Sequence, residues 1–163
     1  MRKPAPGATL DEIESIYRTR LPDFRRVAAA ILGDRELALD AVQEGFALAV
    51  RERSSFRGDG PLEAWLWRIV VNAARAHLRR HSADVDMEVL ASGNGHAENA
   101  DERVRAVIVL LPERQRLVLF LRYYADLDYG AIATALEISI GTVGATLNAA
   151  HASMSRLLEE VTP

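Results

Sequence analysis

The segment YGAIATALEISIGTVGATL, residues 129–147, decides the fold of the carboxyl-terminal half of this 163-residue chain. Its apolar residues recur at the three- and four-residue steps of an α-helix on both sides of residues 137–139, where the pattern breaks. This spacing predicts two helices joined by a tight turn, with Ser139 capping the second helix. The pattern is typical of a helix–turn–helix, whose second helix lies in the major groove of DNA, and an ordinary helical hairpin is the alternative.

The same helical periodicity extends outward from this segment over most of the chain. It predicts a four-helix unit at residues 101–163 and a three-helix bundle at residues 1–81. In the first unit the helices are expected at 24–32, 35–53 and 62–80, with a loop at 54–61 and a further helix from Leu10. We therefore predict an all-α protein made of two small helical domains.

The two predicted domains are separated by residues 82–100, which read SADVDMEVLASGNGHAENA and lose the apolar periodicity. Residues 82–103 hold six acidic side chains and one Arg, whereas residues 24–81 hold ten Arg and seven acids. The segment is therefore predicted to be a flexible acidic linker. Fully extended, such a linker reaches roughly 65–70 Å, so the two domains need not touch.

Composition argues against several classes of protein. The chain has no Cys, which excludes disulfides, thiol nucleophiles and thiolate metal sites, and its formal net charge is −3. Its four His residues lack metal-ligand spacing, and no glycine-rich phosphate loop follows a predicted strand. No signal peptide or membrane-spanning run is evident. We expect a soluble cytoplasmic protein with no catalytic site, cofactor, metal, small-molecule substrate or membrane insertion.

Aromatic and arginine residues cluster in the second half of the first predicted domain. Aromatic rings can stack on unpaired bases, and arginines can follow phosphates. Trp65 lies on the apolar stripe and is expected in the core, whereas Phe56 and Trp67 lie off it and are the better candidates for contact with nucleic acid. Arg79 and Arg80, near a helix end, could instead complement the helix dipole.

Taken together, residues 24–158 resemble the extracytoplasmic-function class of sigma-70 family initiation factors. ILGDRELALDAVQEGFALAV, residues 31–50, looks like the polymerase-docking helix of the family. FRGDGPLEAWLWRIVVNAARAHLRR, residues 56–80, looks like its promoter-melting helix with the preceding loop. LPERQRLVLFLRYYADLDYGAIA, residues 111–133, followed by ISIGTVGATL, is similar to its −35-reading domain.

The resemblance implies core RNA polymerase and promoter DNA as partners. Asp40, Gln43 and Glu44 would dock on the clamp helices of the largest polymerase subunit, and the acidic linker would occupy the polymerase's nucleic-acid channel. Loop 54–61 with Asn72 would capture a base flipped from the −10 element. The −10 candidates are Phe56, Arg57, Trp67, Arg68, Asn72, Arg75, Arg79 and Arg80. The class commonly has an anti-sigma factor as a partner, although no residue here identifies one.

The −35-reading helix departs from the family pattern. Positions 144, 146, 149 and 151 are usually basic but hold Gly144, Thr146, Ala149 and His151, and the turn position that is usually Gly holds Glu137. Losing phosphate contacts weakens duplex binding. The remaining −35 candidates are Ser139, Thr142, Gly144, Thr146, Asn148 and His151.

Three hypotheses follow. The preferred one is an alternative sigma factor whose first domain carries most of the promoter recognition. The alternative is an interaction protein on a sigma scaffold, which binds polymerase or a regulator with little −35 reading. A free-standing helix–turn–helix repressor has less support, because no dimerisation element is evident and the first domain would go unexplained.

Overall fold

The computed structural model describes residues 7–81 and 100–161. Within these ranges the protein is helical, which confirms the predicted all-α class. The helices are α1 (Leu10–Leu32), α2 (Arg35–Arg51), α3 (Leu62–His81), α4 (Ala100–Ile108), α5 (Glu113–Tyr123), α6 (Tyr129–Leu136) and α7 (Ile140–Val161), with a short 3-10 turn at Arg53–Ser55. The predicted linker lies outside the described residues except for Ala100, where α4 begins.

Helix α1 is a single helix from Leu10 to Leu32, so the two segments expected on either side of residue 20 are continuous. Its first turn is closed by a capping box: the Glu12 amide donates to Thr9 Oγ1 at 3.2 Å, and the Thr9 amide donates to Glu12 Oε2 at 2.8 Å. Gly33 ends the helix in the left-handed conformation, with φ 69°. Asp34 then caps α2 by accepting from two of its first amides.

Helices α1, α2 and α3 form the first unit around an aromatic core. Trp67 stacks on Phe24 with ring centroids 3.9 Å apart, and Phe46 meets Phe24 edge-on at 5.0 Å. Gly45 lets α2 approach α3 closely, because a Cβ there would lie 3.0 Å from Cγ2 of Val70 and 3.1 Å from its Cα. Because α2 packs closely on α3, the exposed faces of these two helices are held in a fixed orientation relative to each other.

Helices α4 to α7 form the second unit, with α6 and α7 arranged as the predicted helix–turn–helix. Glu137 ends α6 in the left-handed conformation, with φ 56° and ψ 43°. The Thr142 amide donates to Ser139 Oγ at 3.1 Å, which confirms Ser139 as the cap of α7. Buried Val143 and Leu147 hold α7 against the rest of the unit.

The two units are packed together in this structure. Helix α3 packs against α6, and α1 packs against α5. No single helix of the described ranges is long and apolar enough to span a membrane. Helix α6 and residues 140–160 of α7 together reach that length and apolar composition, but the two are bent by 98° relative to each other.

Candidate nucleic-acid interface

One stripe of α3 carries four of the residues predicted to contact the −10 element. Arg68, Asn72, Arg75 and Arg79 follow one another at four- and three-residue steps, so they lie on one side of the helix. Asn72 and Arg79 are exposed, while Arg68 and Arg75 are partly covered. The structure therefore brings these four residues into a continuous row, which we call the α3 polar stripe.

The loop before α3 supplies two further candidates. Arg57 is exposed, and Phe56 is half-buried because its ring lies 5.6 Å from that of Trp65. Trp65 itself is buried, with 7% of its surface exposed, as its place on the apolar stripe predicted. Phe56 therefore has one side against the protein, and the loop around it is open to solvent.

The prediction that Trp67 contacts DNA is wrong. Its side chain is fully buried and stacked on Phe24, so it offers no ring face to a base. The indole Nε1–H is also engaged, because it donates to Glu63 Oε1 at 3.4 Å. Trp67 is a core residue that fixes α3 on α1.

A contact that the sequence reasoning missed holds the turn at the start of loop 54–61 against the segment before α1. The Ala8 amide donates to the Arg53 carbonyl at 3.0 Å. A Cβ on Gly7 would lie 2.5 Å from the same carbonyl oxygen and 2.6 Å from Ser54 Cα, so only glycine fits there. Thr9 and Glu12, in capping-box spacing just after this contact, were the available signal that this segment is ordered.

Two arginines of the α3 polar stripe are paired with acids of the second unit. Arg75 Nε lies 2.8 Å from Oε1 of Glu113, the first residue of α5. Arg68 Nη1 lies 3.7 Å from Oε1 of Glu137, in the turn between α6 and α7. In the packed chain these two guanidinium groups therefore face protein carboxylates.

The predicted polymerase-docking residues form an exposed row on α2. Asp40, Gln43 and Glu44 are all exposed, and their spacing places them on one face. Glu44 Oε2 contacts Nε2 of the buried His77 at 2.5 Å and Nη2 of Arg80 at 3.4 Å. The hydrogen bond with His77, aided by the charge of Arg80, holds the pKa of Glu44 below its ordinary value. Arg80, predicted as a −10 contact, is thus turned toward the docking row.

The exposed surface of α7 is almost uncharged over its first four turns. Ser139, Asn148 and His151 are exposed, and Thr142, Gly144 and Thr146 are partly exposed. No Lys or Arg occurs between Ile140 and Ser155, and the acids Glu159 and Glu160 follow near the end of the helix. By helical spacing, Thr142 and Thr146 lie on one flank of this surface and Gly144 and His151 on the other.

Two exposed tyrosines border the second flank, and sequence reasoning did not single them out. The Tyr123 hydroxyl is 2.9 Å from His151 Nε2, and 61% of Tyr123 is exposed. Tyr129 packs beside Gly144, where an added Cβ would lie 3.6 Å from its ring. The surface around α7 is therefore aromatic and polar rather than basic.

Comparison with known proteins agrees with this architecture. Residues 16–83 match the family Sigma-70 region 2, and residues 101–154 match Sigma-70, region 4. The RNA polymerase sigma-H factor of Pseudomonas aeruginosa is 32% identical over 145 residues, covering 77% of this chain and 75% of the relative. The ECF RNA polymerase sigma-E factor of Escherichia coli (strain K12) is 36% identical over 123 residues, covering 64% of each.

Two solved structures share the fold over nearly the whole chain. CnrH, in complex with the cytosolic domain of CnrY, has a TM-score of 0.72 and 23% identity, covering 94% of this chain and 91% of that one. The sigma factor RpoE from Bartonella quintana, in complex with the anti-sigma factor NepR, has a TM-score of 0.71 and 21% identity, covering 92% and 98%.

The fold and the exposed polar surfaces define a two-domain transcription factor with a helix–turn–helix in its second domain. The chain belongs to the sigma-70 family of RNA polymerase sigma factors, in its extracytoplasmic-function class. It is therefore a transcription initiation factor, and its partners are core RNA polymerase and promoter DNA.

Proposed function

We propose that this alternative sigma factor recognises promoters mainly through its first unit, and that α7 reads the −35 region only weakly. The observation that carries the proposal is the contrast in charge between the two candidate DNA surfaces. The first four turns of α7 expose no Lys or Arg side chain. By contrast, α3 and its preceding loop carry Arg57, Arg68, Arg75 and Arg79 on the candidate −10 surface.

Duplex affinity depends on how many phosphates a protein neutralises, so an uncharged recognition helix binds weakly. The amino terminus of α7 can still hold a phosphate. The side-chain amide of the exposed Asn148 can accept one hydrogen bond from adenine and donate another to it. Exposed Glu137, beside the start of α7, adds negative charge where a phosphate would approach. We therefore assign α7 a role only when polymerase holds it against DNA.

On α3, Asn72 is proposed to bind a base flipped out of the −10 element. It is exposed in the middle of the α3 polar stripe, close in sequence to the arginines that would follow the phosphates. Unstacking a base costs a few kcal/mol, which hydrogen bonds from Asn72 and contacts with Phe56 would offset. Asp40, Gln43 and Glu44 are proposed to dock the same unit on polymerase. The chain would act in the cytoplasm and carry out no catalytic step of its own.

The Asn72→Ala variant tests this assignment. We expect it to bind core polymerase like the wild type but to lose promoter opening, because the flipped base would lack its hydrogen-bond partner. Binding is measured by native gel shift of polymerase, and opening by permanganate reactivity of unpaired thymines. Glu160→Gln, at an exposed position of α7 outside both sets of DNA candidates, is the control and is expected to change both readouts little. Full opening by Asn72→Ala would refute the assigned role.

A second function is favoured by the near-neutral, alanine-rich exposed surface of α7. In this alternative the chain binds polymerase or a regulator and directs little or no transcription. Polymerase binding without new transcripts on genomic DNA would support it over the first proposal. An anti-sigma factor is a further proposed partner, because CnrH and RpoE, which share this fold, were solved with CnrY and the anti-sigma factor NepR.

A further inference from the structure

We propose that the segment before α1, residues 7–9, positions Phe56 for contact with the base flipped out of the −10 element. We call this segment the strap. The inference rests on the proposed base capture by loop 54–61, and it adds residues that act without touching DNA. Gly7 and Ala8 are therefore positioning residues, which affect promoter opening through the backbone of the loop.

The strap acts through one atom, the carbonyl oxygen of Arg53. This oxygen accepts a hydrogen bond from the Ala8 amide at 3.0 Å and another from the Phe56 amide at 3.3 Å. A carbonyl oxygen has two lone pairs, so it can hold both donors at once. Because the two amides share this acceptor, the position of the Phe56 backbone depends on the contact between Arg53 and the strap.

Gly7 allows the strap to come this close to the loop. A Cβ on Gly7 would lie 2.5 Å from the Arg53 carbonyl oxygen and 2.6 Å from Ser54 Cα. Both are backbone atoms, which cannot rotate away as the end of a side chain can, so a larger residue would push the strap and the turn apart. At Gly60, near the other end of the loop, an added Cβ would meet nothing within 4 Å. The steric requirement for glycine therefore lies where the strap meets the start of the loop.

The strap is anchored at its other end to the helical bundle. Ala8 is buried, with 6% of its surface exposed, and Thr9 caps α1 through its capping box with Glu12. Ile13, one turn into α1, is also buried. The strap is thus tied to the bundle on one side and to the loop on the other, so it can transmit the rigidity of the bundle to the turn before Phe56.

The side chain of Phe56 has a separate support. Its ring centroid lies 5.6 Å from that of the buried Trp65, with the two rings tilted by 55°. The strap fixes the backbone of Phe56 and Trp65 supports its ring, so the aromatic group is in place before DNA arrives. Such preorganisation lowers the entropy that is lost when a ligand binds. Loss of the strap should therefore weaken the contact with the base and leave the rest of the DNA surface unchanged.

The test uses the full chain with Gly7→Ala, bound to core RNA polymerase. The probes are forked −10 oligonucleotides from a promoter mapped by transcription, one intact and the others abasic at one −10 position each. We expect Gly7→Ala to bind the intact oligonucleotide about threefold to tenfold more weakly, and to bind the one abasic at the captured position as the wild type does. Partial unfolding would instead weaken both. Ala8→Pro, which removes the amide donor, is expected to give the same result.

Hydrogen exchange of the peptide that contains residues 52–61 measures the contact itself. We expect the Phe56 amide to exchange about threefold to tenfold faster in both strap variants, because its acceptor is no longer held in place. Gly130→Ala, at an exposed position of α6, is the matched control. An added Cβ there would meet only Asp128 Oδ1, at 3.4 Å, so neither readout should change.

The outcomes separate the strap from the proposed base capture. Unchanged exchange in Gly7→Ala, or equal losses of affinity for the intact and abasic oligonucleotides, would overturn the positioning role. If Gly7→Ala keeps the wild-type preference for the intact oligonucleotide while Asn72→Ala loses it, base capture stands and only the strap is refuted. A wild-type protein that binds every abasic oligonucleotide as tightly as the intact one would refute base capture, and the role of the strap with it.

Discussion

At the scale of single residues, Asn72 and Trp67 lie five positions apart on α3 in opposite environments. Asn72 is exposed, whereas Trp67 is fully buried against Phe24 and donates its indole N–H to Glu63. The same helix therefore anchors the bundle with one side and presents polar groups with the other. Mutations at the two positions should affect different properties of the protein.

Trp67→Ala is expected to lower the free energy of unfolding by about 3–5 kcal/mol, because it leaves a large cavity in the core. Urea denaturation followed by circular dichroism measures this change. Asn72→Ala, at an exposed position, should stay within about 0.5 kcal/mol of the wild type. A Trp67→Ala protein with wild-type stability and weakened DNA binding would contradict the burial of this side chain and revive its predicted role.

At the scale of helices, the contact of Glu44 with His77 joins α2 to α3. The folded-state pKa of Glu44 is lowered from its ordinary value of 4.5, chiefly by the hydrogen bond with His77. A carboxylate with a lowered folded-state pKa contributes stability that is present above its unfolded pKa and is lost as the pH falls through the folded pKa.

Glu44→Gln should therefore be less stable than the wild type at neutral pH, and the difference should shrink as the pH falls below the ordinary carboxyl pKa of 4.5 and through the lowered folded-state pKa of Glu44. Chemical denaturation of both proteins across this range measures it. Asp40→Asn, on the same exposed face, is the matched control, because Asp40 makes no ion pair within the described residues. A difference for Glu44→Gln that stayed constant with pH would show that the charged contact does not contribute.

Local signals explain why most helices and the Ser139 cap were predictable from the sequence. Caps, breaks and apolar periodicity act over a few residues, as at Gly33 and Asp34. Trp67 was misjudged because the prediction assumed one buried stripe, whereas α1, α2 and α6 all pack on α3 and ten of its twenty residues are buried. The sides of a helix that become buried depend on which other helices pack against it, and the helix's own sequence does not specify those partners.

At the scale of the whole molecule, the packing of the two units could not be predicted from the sequence, because it also depends on which surfaces meet in the folded chain. The pairs of Arg68 with Glu137 and Arg75 with Glu113 join residues far apart in the chain, and they depend on how two folded bodies dock. The arginines were singled out for DNA, and Glu137 was noted only as a departure from the family pattern. Their contact gives that departure a physical explanation.

We propose that this sigma factor starts transcription at promoters recognised mainly through its first unit. The most direct test is run-off transcription by core RNA polymerase, with and without the protein, on pooled fragments of its own genome, followed by mapping of the transcript starts. We expect discrete new transcripts whose upstream sequences share a −10 element and only a weak −35 element. A dominant −35 element, or no new transcripts although polymerase is bound, would contradict it.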